Sequence, residues 1–131
     1  MNPKVKIIIA DDNKEFCNFL ARYLGKYNNI EILGIANNDE EEIYMIENLK
    51  PEVVITDLLR NNRYTGLDII KKYYGTKNSP EFLVISADRE QDVIRNEVKV
   101  AGYIEKPFTN YNIMYESLIK IKKELEDKRN I

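Results

Sequence analysis

Histidine is absent from the 131 residues, and that absence excludes a good deal. No Ser–His or Cys–His pair, no imidazole base and no histidine zinc ligand can be built. Nor can this chain carry a phosphoryl group on histidine. Cysteine occurs once, at Cys17, so no internal disulfide forms. A reducing, cytoplasmic setting is the simple expectation. Glycine-rich phosphate loops are missing, in both the GxxxxGKS/T and the GxGxxG form, which argues against nucleotide hydrolysis and against a dinucleotide enzyme. No apolar run approaches the ~20 residues needed to span a bilayer. Met1-Asn2-Pro3-Lys4 leads straight into a strand pattern, so no signal peptide is read. A basic excess is lacking too: the formal net charge is −2, which argues against a nucleic-acid surface. Chemistry here must use carboxylates, hydroxyls, lysines or a metal.

What is present is an alternation. The length suits one domain with one core, and the apolar fraction of 44% is ordinary for a globular chain. Short β-branched apolar runs predict strands over 5–10, 30–36, 52–57, 82–86 and 102–106. Most show little alternation, as strands buried on both faces should. The second alternates slightly more, which fits a sheet edge. Helices are predicted over 13–27, 39–50, 66–74, 89–99 and 110–128 from apolar spacing and end signals. Phe16, Leu20, Leu24 and Tyr27 line the first, and Leu118, Ile121 and Leu125 the last, with Ile113 or Met114. Asn38 or Asp39 can cap the second, whose acids Glu40, Glu41 and Glu42 suit its positive end, and Pro51 stops it. Asp88 with Gln91 resembles a capping box for the fourth. Strict alternation implies a parallel sheet with right-handed crossovers. Five strands suit an α/β, doubly wound, flavodoxin-like sheet of order 2-1-3-4-5, a (βα)5 domain over 1–131 with its core at about 4–125.

In that order the strand ends gather polar groups. Asp11 and Asp12 follow the first strand, Asp57 the third, Ser86 ends the fourth and Lys106-Pro107 the fifth. The carboxyl edge of such a sheet is where ligands bind. Any one of these acids alone is as well read as a helix cap or an Asx turn. Together they pack like charges, which a hard divalent ion with oxygen ligands relieves. Asp57 can then ligate with one oxygen and attack phosphorus with the other. Lys106 supplies a point charge for the phosphoryl group. Ser86 either caps the next helix or donates to a phosphoryl oxygen, and the small Ala87 beside it leaves room. Cys17 reads as a small buried hydrophobe. Tyr103 reads as a strand aromatic, and Tyr73, Tyr74, Tyr111 and Tyr115 as packing or surface residues.

The ordered set of acid pair, Asp57, Ser86-Ala87, Tyr103 and Lys106-Pro107-Phe108 on five βα units resembles the receiver domain of two-component response regulators, over about residues 4–125. The resemblance implies a phosphoprotein of a phosphorelay rather than an enzyme. Asp57 would accept a phosphoryl group from a sensor histidine kinase or a histidine phosphotransfer protein. Asp11, Asp12, Asp57 and the backbone carbonyl of Leu59 would hold Mg²⁺. Ser86 and Lys106 would bind the phosphoryl group. Tyr103 would be the switch aromatic, changing the surface of the fourth helix, last strand and fifth helix for partners. The output would lie in an effector protein, in a C-terminal output domain outside this chain, or in a phosphorylation-dependent homodimer, with no direct nucleic-acid or membrane contact.

Two departures from the family pattern stand out. After Asp57 the chain reads Leu58-Leu59-Arg60-Asn61-Asn62-Arg63-Tyr64-Thr65-Gly66. It lacks the usual proline, puts Arg60 where an apolar residue is usual and is one residue longer, so that Arg60 or Arg63 can reach the phosphate. The Ser86-to-Lys106 segment is about two residues shorter than usual, which shortens or shifts the fourth helix. Two other readings compete. One is a pseudo-receiver acting as a constitutive interaction module. The other is an aspartyl-phosphate phosphatase, disfavoured because Leu58-Leu59 replaces its Asp-x-Asp and no cap domain is present.

Overall fold

The computed structural model describes residues 4–87, 94, 97–106 and 110–129. Five strands, β1 (Val5–Ala10), β2 (Ile30–Ala36), β3 (Val53–Thr56), β4 (Glu81–Ala87) and β5 (Gly102–Lys106), form one parallel sheet. Its order is β2-β1-β3-β4-β5, as the alternation predicts. The described helices are α1 (Lys14–Leu24), α2 (Asp39–Leu49), α3 (Thr65–Tyr73) and a C-terminal α4 (Asn112–Arg129). Most of the helix expected over 89–99, with its Asp88–Gln91 cap, lies outside the described residues, as do Pro107 and Phe108.

The strands divide the core by parity. Ile7 and Ile9 join Val53, Ile55, Leu83, Ile85 and Ile104 on one face, under Cys17, Leu20 and Leu24 of α1 and Met114, Leu118 and Ile121 of α4. Ile8 and Ala10 join Val54, Phe82 and Val84 on the other, with Ile46 of α2 and Leu67, Ile69, Ile70 and Tyr73 of α3. Side chains alternate along a strand, so covering both faces demands the continuous apolar runs seen in the sequence. Each fully buried aliphatic side chain contributes about 1.5–3 kcal/mol. β2 lies at an edge, and most of its residues are half-buried. Met114 is the buried residue at the start of α4; Ile113 is exposed.

Local signals set the helix starts. Asn13 caps α1 by accepting from Phe16 N at 3.0 Å. Asn38, rather than Asp39, caps α2 by accepting from Glu41 N at 2.9 Å, and Glu41 reaches back to Asn37 N at 2.8 Å. That exchange is close to a capping box.

The β3–α3 connection carries the unusual sequence. Asn61 and Asn62 both hold a left-handed backbone, φ 51° and 62°. Arg60 N donates to Arg63 O at 2.8 Å and Arg63 N to Arg60 O at 3.0 Å. Residues 60–63 thus make a two-residue hairpin of the type that Asn accommodates well. This hairpin turns Arg60 into the protein and leaves Arg63 exposed. Gly66 then passes against the Asp57 carbonyl, so closely that a Cβ there would lie 2.1 Å from the oxygen. We expect Gly66→Ala to cost about 2 kcal/mol and to lower the melting temperature by about 8 °C. Unaltered thermal unfolding would mean the loop yields freely.

Candidate functional site

Strand register brings the acids together. Ala10 pairs with Thr56 across β1 and β3, so the next residues, Asp11 and Asp57, leave the sheet side by side. One carboxylate oxygen from each of Asp11, Asp12 and Asp57 lies within 4.8 Å of the others. Asp11 and Asp57 are buried and Asp12 is exposed, so the group opens to solvent on one side. Asp11 is fixed by its own turn, with Asn13 N donating to Oδ1 at 2.9 Å. Its backbone carbonyl accepts from Asn37 Nδ2 at 3.0 Å and from Cys17 Sγ at 3.4 Å.

β4 and β5 complete the edge. Ala87 pairs with Lys106 in the ladder, and Lys106 Nζ reaches Asp11 Oδ2 at 3.2 Å. The ammonium also lies 5.0 Å from the Phe16 ring centre, over its face. Ser86 is buried, and its Oγ has no hydrogen-bond partner among the described residues. Residues 88–90, which a cap at Ser86 would serve, lie outside the described residues. The Tyr103 hydroxyl donates to the Ala87 carbonyl at 2.8 Å, tying the β5 aromatic to the residue after Ser86. The Leu59 side chain is exposed between Asp57 and the hairpin.

Arg60 enters this site from the interior. Its Nε donates to Asp57 Oδ1 at 2.9 Å and its Nη2 to Thr56 Oγ1 at 2.6 Å. Nη1 donates to Asp39 Oδ1 at 2.7 Å. The same nitrogen lies 2.6 Å from Glu42 Oε1, an ion-pair contact without hydrogen-bond geometry, and both Glu42 oxygens are buried without a hydrogen bond among the described residues. Thr65 Oγ1 adds a bond to Asp39 at 3.1 Å. Sequence reading assigned Glu42 only to the positive end of α2 and gave Thr56 no role. The available signal was spacing: Glu42 falls four residues before the buried Ile46, on the inward stripe of α2. Arg63 is exposed, and it lines the same open pocket as Asp12 and Arg60.

Electrostatics follow from burial. Burial pushes the Asp57 carboxyl up to about 6, with Asp11 adding to the rise, while Arg60 and Lys106 oppose it. Burial likewise pushes Glu42 up to about 7 despite Arg60. The Cys17 thiol rises to about 12, chiefly by burial and then through Asp11 and Asp57, which makes it inert near neutrality.

Three carboxylates at this separation make an all-oxygen donor set, which suits a hard divalent cation that retains some waters. The buried Ser86 hydroxyl is a donor with no acceptor among the described residues, which suits an anion site on this edge. The residues present therefore fit Mg²⁺ and a phosphoryl group.

Both raised carboxyl groups hold their proton more tightly in the folded state than in the unfolded chain. Their contribution is complete below the unfolded values and is lost as pH rises through about 6 for Asp57 and about 7 for Glu42. Without divalent ions, the melting temperature is expected to be several degrees higher at about pH 5.5 than at about pH 8. Glu42→Gln should flatten part of that slope; a profile as steep as the parent's would exclude Glu42 as a source.

Comparison with known proteins agrees with this geometry. Residues 7–116 match the family described as "Response regulator receiver domain". The REC domain of AraT, a response regulator from Geobacillus stearothermophilus, superposes with a TM-score of 0.77 at 24% identity, covering 95% of this chain and 98% of that one. The CheY-like receiver domain protein of Methanospirillum hungatei JF-1 gives 0.76 at 22%, covering 97% and 98%. The signal receiver domain of a response regulator from Bermanella marisrubri gives 0.75 at 22%, covering 90% and 98%. At such identities the superpositions establish the fold. The family match over most of the length, on that fold, means that this chain belongs to the response regulator receiver domains.

Proposed function

We propose that the chain is a single phospho-accepting receiver, with Asp57 as acceptor and Asp11, Asp12, Asp57 and the Leu59 carbonyl as the Mg²⁺ ligands. One observation carries the reading: the carboxylates of 11, 12 and 57 converge within 4.8 Å at the sheet edge that Ser86 and Lys106 also reach. The donor is a histidine on a sensor kinase or phosphotransfer protein, because this chain has none of its own. Proteins of that kind place the exchange in the cytoplasm, and among the described residues no helix is long and apolar enough to cross a membrane.

Arg60 occupies Oδ1 of Asp57, which leaves Oδ2 as the nucleophile. A P–O bond forms to that oxygen, the P–N bond to the donor imidazole breaks, and the imidazole nitrogen keeps the electron pair. Burial and the nearby charges hold the acceptor carboxyl near 6, so it remains largely ionised at neutral pH. Bound Mg²⁺ would supply neutralisation of the charge on the phosphoryl oxygens. Lys106 presents its ammonium on the same side, and Ser86 Oγ donates to a phosphoryl oxygen. Ser86 shifts toward the new acceptor, and Tyr103, bonded to the Ala87 carbonyl, follows into the space left. The surface around β5 and its flanking helices then changes for an effector partner.

A pseudo-receiver is the second reading, favoured by the 2.9 Å Arg60–Asp57 bond, which already neutralises the acceptor. Incubation with acetyl phosphate and Mg²⁺ separates the two. Intact mass is expected to rise by one phosphoryl group, to show no gain in Asp57→Asn, and to rise about tenfold more slowly in Lys106→Ala. No gain in the parent protein selects the pseudo-receiver. Millimolar Mg²⁺ should also raise the melting temperature by a few degrees, by relieving like-charge repulsion.

A further inference from the structure

Phosphoryl chemistry, as assigned above, uses the guanidinium behind the acceptor only to select the attacking oxygen, not for its charge. Arg60 is almost fully buried, with a side chain 4% exposed. Anions from two elements hold it: Asp57 at the end of β3, and Asp39 and Glu42 on α2. It also forms part of the wall of an open pocket of about 440 Å³ that includes Asp12 and Asn61. A fixed positive charge therefore touches one of the three carboxylates whose solvent side is open to a cation.

We propose that Arg60 is a resident counter-cation of the acceptor: from the interior it supplies part of the neutralisation that a divalent ion supplies from solvent, and it thereby weakens Mg²⁺ binding by this chain. The inference rests on the receiver reading of the three acids and adds a residue that sets how much Mg²⁺ they need. Two cations on one carboxylate repel, and partial burial strengthens that repulsion relative to water. Arginine cannot escape by losing its proton. Nor can it swing away without cost, because Glu42 would be left buried and uncompensated. A purely structural role for Arg60, bracing the hairpin against α2, makes a different prediction: its removal would change stability and leave Mg²⁺ affinity alone.

Calorimetric titration with Mg²⁺ distinguishes these. Arg60→Gln removes the charge and is expected to tighten Mg²⁺ binding about tenfold. The double variant Arg60→Met/Glu42→Leu removes the pair together, so no orphan charge is left in the interior. It should tighten binding about threefold, since the lost Glu42 charge offsets part of the gain. The double variant keeps the test available should the single variant fail to fold. Arg63→Gln removes an equal charge from the exposed rim of the same pocket. It should tighten binding clearly less than Arg60→Gln does, because Arg63 makes no ion pair with Asp57 among the described residues and water screens it. Changes below about twofold in both Arg60 variants overturn the inference, as does equal tightening in Arg63→Gln. A measurable parent affinity that is indifferent to Arg60 overturns this inference alone. Absence of Mg²⁺ heat in parent and variants alike, to tens of millimolar, overturns the metal reading together with it.

Discussion

Crowding of like charge at one sheet edge is the constraint from which the rest of the site follows. Among the described residues, Asp11, Asp12 and Asp57 converge on the solvent side, and Asp39 and Glu42 stand behind them. Two cations, Arg60 and Lys106, face these five acids, leaving a formal balance of three negatives (five less two). A protein can relieve such a field by pairing charges, by holding protons, or by taking up a cation. The interior side uses the first two: Arg60 pairs, and burial raises Glu42 and Asp57. On the solvent side, among the described residues, the half-exposed Lys106 pairs with Asp11, and Arg63 lines the pocket beside Asp12 without an ion pair to it. Uncompensated charge therefore faces water, where a divalent ion and a phosphoryl donor can reach it.

Such a field is tolerable only on a frame that cannot relax away from it. The two-faced core fixes the strands, and the Ala10–Thr56 pairing fixes Asp11 against Asp57. Polar tethers then hold the edge itself. Asn13 N and Asn37 Nδ2 bind opposite parts of Asp11, so its carboxylate cannot turn away from Asp57. The missing Cβ of Gly66 lets α3 begin directly against the Asp57 carbonyl. The like charges gathered at this edge cost folding energy that the hydrophobic layers offset.

The scaffold was legible because its signals are local and periodic. Strand runs were readable within one or two residues, since burial on both faces keeps most positions inside them apolar. The order β2-β1-β3-β4-β5 follows from alternation and crossover handedness. Asp11, Asp12, Asp57, Ser86 and Lys106 were legible for a related reason: each immediately follows or closes an apolar run, and parallel pairing aligns run ends. Less could be read of helix faces. Glu42 looked like one more acid in the positive turn of α2, because Asp39, Glu40 and Glu41 beside it serve that end. Only the stripe shared with Ile46 marked it as inward. Thr56 was hidden because a β-branched residue closing a strand needs no explanation beyond propensity.

Arg60 was visible as an anomaly, yet its direction was not, and the reason is geometric. Whether that side chain meets solvent or core depends on the turn that follows it. An ordinary loop of this length gives no fixed direction, whereas left-handed Asn61 and Asn62 close a hairpin that alternates Arg60 inward and Arg63 outward. The inward choice is tenable only because Glu42 and Asp39 already face that space; a buried guanidinium without them would carry a desolvation cost of several kcal/mol. Conversely, an apolar side chain at position 60 would leave Glu42 buried without its counter-charge. The hairpin, the arginine and the buried glutamate therefore depend on one another across two elements. Their link to Asp57 runs through the guanidinium, which pairs with Glu42 on one side and with Asp57 on the other.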